Sequence, residues 1–215
     1  MIFIIGHHGS GKNTAADLFL SDFNVLNIDV TAALKKDKKR NFPDLNIPEW
    51  VKHVISTYGM GYFLEVANKA TISEVENANK AGKQFDDIIF SGCRAPKLLY
   101  SIRDLVISKT DLFPESCRNM KIIKMEIPRE ILTERIMKRN PEITVEDVNL
   151  MLDGDLEDGL QQLSDEADIF LNNSGGIANL RTEIRRISEV NLGLKPRIDS
   201  QYLESDHGSK ERWLI

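Results

Sequence analysis

The run Gly6-His7-His8-Gly9-Ser10-Gly11-Lys12-Asn13-Thr14 sets three glycines, a lysine and a hydroxyl at a spacing suited to holding an anion. It follows the apolar Ile2–Ile5 and precedes Ala15, Leu18 and Phe19 at helical spacing, so it reads as strand, loop, helix. Glycines allow the tight bend that turns backbone amides toward a ligand. The helix start adds N–H groups without intrahelical partners and a positive partial charge. Lys12 would reach the β- and γ-phosphates of a nucleotide. The other reading is a glycine-rich turn with an exposed lysine; the order strand, glycines, lysine, helix favours the phosphate loop. ATP is therefore expected on Gly9, Ser10, Gly11, Lys12, Asn13 and Thr14. In such loops a Ser or Thr usually follows the lysine and meets Mg²⁺, but here that place holds Asn13. The ion is then expected on nucleotide phosphates and water, with Thr14 bonding a phosphate and no metal site made by the protein alone. His7 and His8 are expected to shape the loop or face solvent, a protonated His next to phosphate being the other reading.

Other charged residues stand where phosphate chemistry could use them. Arg94 closely follows the apolar Ile88–Phe90, and a guanidinium at a strand's carboxyl end suits bidentate phosphate recognition. Arg135 and Arg139 share one row of a helical segment beside Leu132 and Ile136. Asp29 ends a second apolar run and reads equally as a substrate contact or a helix N-cap. Lys35, Lys36, Lys38, Lys39 and Arg40 form a basic run, read as a solvated face. Asp86 and Asp87 read as turn residues.

These residues need a frame. Five short apolar runs, Ile2–Ile5, Val25–Ile28, Ile88–Phe90, Ile122–Ile127 and Ile169–Leu171, alternate with helical patterns. That alternation predicts an α/β fold, a five-stranded parallel sheet with helices on both faces and the first strand central. Two stretches interrupt it: helices only across residues 31–86, and a segment at 140–154 with Asn140-Pro141 and Asp153-Gly154 turn signals. Both read as insertions above the sheet. A domain over residues 1–187 and an extension over 188–215 follow.

Composition narrows the function. The chain has 215 residues, 28 Lys plus Arg against 33 Asp plus Glu, and net charge -5, which argues against a chain-wide nucleic-acid surface. No apolar run approaches the length of a membrane span. Cys93 and Cys117 match no metal or redox spacing, so a reducing, cytoplasmic setting is expected. The partners expected are small-molecule nucleotides, with neither nucleic acid nor membrane; oligomeric state is not legible.

The loop spacing G-x-x-G-x-G-K-x-T resembles the P-loop (Walker A) nucleoside monophosphate kinases and the bacteriophage deoxynucleoside monophosphate kinases. Ile88-Ile89-Phe90-Ser91-Gly92-Cys93-Arg94-Ala95-Pro96 resembles their strand and "G-x-R-x-P" segment, also found in dephospho-CoA kinase-like proteins. Glu134-Arg135-Ile136-Met137-Lys138-Arg139 resembles the "E-R-x-x-x-R" helix entering their lid. Ala167 to Gly175 resembles their last strand, "A-D-x-x-I-x-N-x-G". The resemblance implies a P-loop NTPase fold with a helical acceptor-binding insertion (31–86) and a short lid (140–154). It implies γ-phosphoryl transfer from ATP, with Mg²⁺, to a nucleoside or deoxynucleoside monophosphate bound near Asp29 and Arg94. Lys12, Arg94, Arg135 and Arg139 would be its catalytic residues. Dephospho-CoA is a rival acceptor. A regulatory nucleotide-binding protein is a rival function, suggested by Asn13, Ala32 and Ser91 at places where the family carries other residues.

Overall fold

The computed structural model describes residues 1–197. Strands β1 (Ile2–Ile5), β2 (Val25–Asp29), β3 (Asp87–Ser91), β4 (Lys121–Glu126) and β5 (Ile169–Asn172) form one parallel sheet in the order β2-β3-β1-β4-β5. Every expected strand is present within a residue of its expected ends, and β1 is central. The helices are α1 (Lys12–Asp22), α2 (Val30–Asn41), α3 (Ile47–Tyr58), α4 (Gly61–Lys80), α5 (Pro96–Ser108), α6 (Arg129–Arg139), α7 (Val145–Asp155), α8 (Gln161–Asp165) and α9 (Ile177–Ile187).

Strand alternation divides the core in two. Phe3, Ile5, Ile88 and Phe90 face α4 and α5, while Ile2, Ile4, Ile89 and Ile123 face α1 and α9. Phe3 and Phe90 stack at 4.9 Å. Each such side chain gains roughly 1.5–3 kcal/mol on burial, so the carboxyl ends of β1 and β3 are held from both sides. Those ends carry the loop and Arg94.

The helical stretch expected at 31–86 is not one unit. Ala67, Val75 and Ala78 of α4 belong to the sheet's core. Helix α3 instead rests on a small core of its own, where Trp50 meets Phe63 edge-on at 5.1 Å beside Val54. Asn46 and Glu49 cap each other's backbone at its start, with a proline in the first turn.

The 140–154 segment needs correction. Thr144 and Asp147 form a capping box, and α7 then runs straight through Asp153-Gly154. Asp153 is tied to Arg129 at 2.9 Å, and Val148 and Leu152 bury one face against Leu132 and Ile136, so the helix continues where a turn was expected. The break comes at Gly159, whose φ of +103° suits glycine and whose missing Cβ would lie 2.5 Å from Pro96 Cδ. Asp87 also departs from expectation. It is a buried strand residue that accepts from Cys117 Sγ at 3.3 Å, whereas Asp86 does lie in a bend.

After α9 the chain makes a wide turn over Ser188–Leu192, buries Leu194 and bridges Pro196 to Phe23. The remainder of the 188–215 extension lies outside the described residues. Among the described residues no helix is long and apolar enough to cross a membrane.

Candidate functional site

The loop from β1 to α1 opens into a cavity of about 680 Å³ at the carboxyl ends of the strands. Parallel sheets place ligands there because the helices that follow present their amino ends. Gly11, at φ +86°, is the N-cap of α1. A Cβ on Gly11 would stand 2.3 Å from Asn173 Nδ2, which itself donates to Ser10 O at 2.9 Å. Asn173, the asparagine of the last-strand motif, is therefore a brace under the loop.

Most of the expected site residues converge on this cavity. Gly9, Gly11, Lys12, Asn13 and Thr14 line it from the loop, Asp29 from the end of β2, Arg94 from beyond β3, and Arg135 and Arg139 from α6. Ser10 is the exception: it is buried, and its hydroxyl accepts from Lys12 Nζ at 3.4 Å. Its contribution is structural, because the loop's turn points its side chain inward.

Lys12 Nζ donates to the carbonyls of Gly6 at 2.8 Å and His7 at 2.7 Å. Burial, and then the charge of Arg94, pull its amine down to about 7. The negative charge of an arriving phosphate would oppose both influences. Asp29 is the N-cap of α2, accepting from Ala32 N–H at 2.9 Å, and it also lines the cavity. Asn13 Nδ2 approaches Asp29 Oδ2 at 3.4 Å. Asp29 lies directly across from Ser91 in the sheet, and the Ser91 hydroxyl turns to Asn27 Oδ1 at 3.3 Å. Among the described residues Asp29 is the sole carboxylate lining the cavity, and the cations are Lys12, Lys35, Arg94, Arg135 and Arg139. Lys35 stays exposed, as expected of the basic run, and also borders the cavity. Lys36 and Arg40 line a second hollow of about 460 Å³ beyond α2, with Asp37 and Glu74.

The residue the sequence reading missed is Asp155. Its buried carboxylate accepts from the His8 main-chain N–H at 2.8 Å, lies 2.9 Å from His8 Nδ1 and accepts from Arg94 NH1 at 3.2 Å. His7 Nδ1 stands 3.4 Å away. Burial works against its charge, yet contacts from His7 and His8 hold the carboxyl well below the usual carboxylate range. Neither histidine simply faces solvent. One signal was available: Val148, Leu152 and Asp155 share a helix face, which puts a carboxylate on a core stripe. Gly159 against Pro96 docks the same segment a second time, beside Arg94.

No protein-family model and no curated protein sequence matches the chain. Among solved structures it is similar to TT1252 from Thermus thermophilus, at 19% identity over 88% of this chain and 97% of that one, with TM-score 0.49. It is similar to shikimate kinase from Acinetobacter baumannii in complex with shikimate, at 17% identity, 89% and 92% coverage and TM-score 0.48. A shikimate kinase from Bacteroides thetaiotaomicron gives 15%, 88%, 96% and 0.46.

Proposed function

We propose that the protein is an ATP-dependent phosphotransferase whose acceptor is a nucleoside or deoxynucleoside monophosphate. The observation that supports this is the convergence in one cavity of an amide-lined loop at a helix start with four further cations, from α2, the β3–α5 connection and α6. That charge balance suits more than one phosphate group. Loop amides and Lys12 would hold the β- and γ-phosphates. Arg135 and Arg139 would neutralise the charge that spreads over the transferring group. Arg94 would hold the acceptor's phosphate; its Nε is buried without a hydrogen-bond partner among the described residues.

The substitutions in the family pattern fit a phosphate nucleophile. A phosphate monoester is largely a dianion near neutrality, its second pKa being about 6, so its oxygen attacks without a general base. That oxygen bonds to the γ-phosphorus as the β–γ bridging oxygen leaves with the electron pair, giving ADP and a diphosphate. A hydroxyl acceptor such as dephospho-CoA would need a base, and among the described residues Asp29 is the one carboxylate lining the cavity. Among the described residues no cluster of three His, Cys, Asp or Glu could hold a metal. The Asn13 carbonyl, the Thr14 hydroxyl and Asp29 are oxygen donors of the type Mg²⁺ takes in small number beside phosphates and water. When bound there, the ion would supply further charge neutralisation to the triphosphate.

The test is product formation with ATP and Mg²⁺ over a panel of nucleoside and deoxynucleoside monophosphates, with dephospho-CoA as the hydroxyl acceptor. Transfer to one monophosphate supports the reading. Transfer to dephospho-CoA alone replaces the acceptor, and ATP binding without transfer to any of them favours the regulatory reading.

A further inference from the structure

His8 lines the cavity, yet the mechanism above gives it no part. Its side chain is 31% exposed, whereas the carboxylate that holds it is 1% exposed. Asp155 grips this residue twice, through Nδ1 at 2.9 Å and through the main-chain N–H at 2.8 Å. A carboxylate only accepts, so the proton of the neutral ring sits on Nδ1 and the basic atom is Nε2. Arg94 NH1 stands 2.8 Å from Nε2 and 3.3 Å from Nδ1. Such similar distances put the guanidinium nitrogen over the N–C–N edge of the ring, not in line with the Nε2 lone pair. That lone pair therefore stays available.

The charges around the ring oppose one another. On its own loop are His7 and Lys12. The end of α7 brings Asp155, and the β3–α5 connection brings Arg94. Lys35 of α2, Arg135 and Arg139 of α6 and Asp29 at the end of β2 face the same cavity. The empty cavity is dominated by cations that resist a further positive charge, while Asp155 favours one. A polyphosphate cancels the resistance and leaves the help of Asp155 in place.

We propose that His8 is a phosphate-binding residue of this loop, oriented by Asp155 as a positioning residue, and that Nε2 takes up a proton from solvent when a polyphosphate enters the cavity. The proposal rests on the reading that the loop binds ATP. No bond in the ligand is made or broken: one proton moves from buffer to Nε2, and Nε2–H then donates to a phosphoryl oxygen. Lys12 is the competing proton acceptor, since burial and Arg94 pull its amine down to about 7 in the empty site.

Calorimetric titration of the full chain with ATP at pH 7.5, in two phosphate-free buffers of unequal ionisation enthalpy, counts the protons taken up. Wild type is expected to take up about half a proton or more beyond His8→Gln, with Asp155→Asn close to His8→Gln. The glutamine variant should bind ATP about three- to tenfold more weakly at pH 6.5 and nearly normally at pH 8.5. Equal proton uptake in wild type and His8→Gln overturns the proposal in favour of Lys12, and so does an affinity loss that is the same at both pH values. Wild type protein labelled with ¹⁵N-histidine reads the same step without a substitution. Of the four histidines, the Nε2 of His8 should shift from bare to protonated nitrogen on adding ATP, and a resonance that stays put sinks the idea. Absence of ATP binding by wild type is a different failure, that of the underlying reading.

Discussion

The phosphate loop, which lines the cavity, and the helices α2 and α3, of which α2 borders it, are built in opposite ways. In the loop nearly every group has an internal partner. Lys12 is spent on two carbonyls, Asn173 braces Ser10, and Asp155 holds His8 and Arg94. Helix α2 has one fully buried residue, Val30, and α3 leans on Trp50 and Val54 while Ile47, Ile55 and Tyr58 stay exposed. In the proposed reaction the triphosphate would rest on backbone amides, which only a fixed loop can aim. The acceptor would be met by side chains, with α2 offering Lys35 from a lightly anchored pair of helices whose local opening costs less than unfolding the sheet.

The sharpest way to break this contrast is Gly11→Ala. The new Cβ meets Asn173 Nδ2 and sits at a φ that side chains rarely adopt. ATP affinity should fall by about a hundredfold or more, read by calorimetry, because an energy of a few kcal/mol is concentrated on the loop. Binding within threefold of wild type would show that the loop is compliant.

Lys12→Met should weaken ATP binding by roughly a hundredfold while the fold persists. It should also change the pH dependence of stability. The folded amine loses its proton near 7 and the unfolded one near 10.5, so between those values the unfolded chain binds more protons. Wild type stability, measured without nucleotide, should therefore rise relative to Lys12→Met as pH increases from 7 to 10. A flat difference between the two melting curves would mean that Lys12 carries no desolvation cost.

The arginines refine the comparison within the cavity. Arg94→Ala should raise the acceptor KM by about ten- to a hundredfold, and Arg135→Ala or Arg139→Ala should lower kcat by a similar factor. Steady-state rates over a matrix of ATP and acceptor concentrations separate the two. If the effects are exchanged, the acceptor lies under α6 and not beside α2.

Trp50→Ala should have the smallest effect on nucleotide. Loss of its packing against Phe63 should cost the α3 core about 3 kcal/mol and raise the acceptor KM several-fold, with the ATP KM within twofold of wild type. Hydrogen exchange should show the loss confined to residues 42–63. If the loop loosens as well, the two regions are one cooperative unit.

The same contrast explains what the sequence discloses. The loop, the five strands and Arg94 are legible because strand, turn and helix start each leave a mark within a few residues. Arg135 and Arg139 are legible as a row on one helix. Asp155 is not, because its partners lie at the other end of the chain and its immediate neighbours, Asp153 and Gly154, imitate a turn. Lys35 is not singled out within its basic run, where only the pitch of α2 decides which lysine borders the cavity. Whether α4 belongs to the sheet or to the insertion depends on packing against α5 that no local pattern reveals.

The contact of Gly159 with Pro96 bears on how the chain could be recombined. One partner has no side chain and the other opens α5 with a ring, so each fits only beside the other. A graft that replaced residues 140–160 with a donor segment carrying any side chain at position 159 would collide with the recipient's proline. A graft that moved residues 88–96 alone would leave a gap where the ring had been. Exchangeable blocks in this chain therefore follow spatial seams: the two segments must travel as a pair, and residues 42–58 must travel with Phe63, on which Trp50 rests.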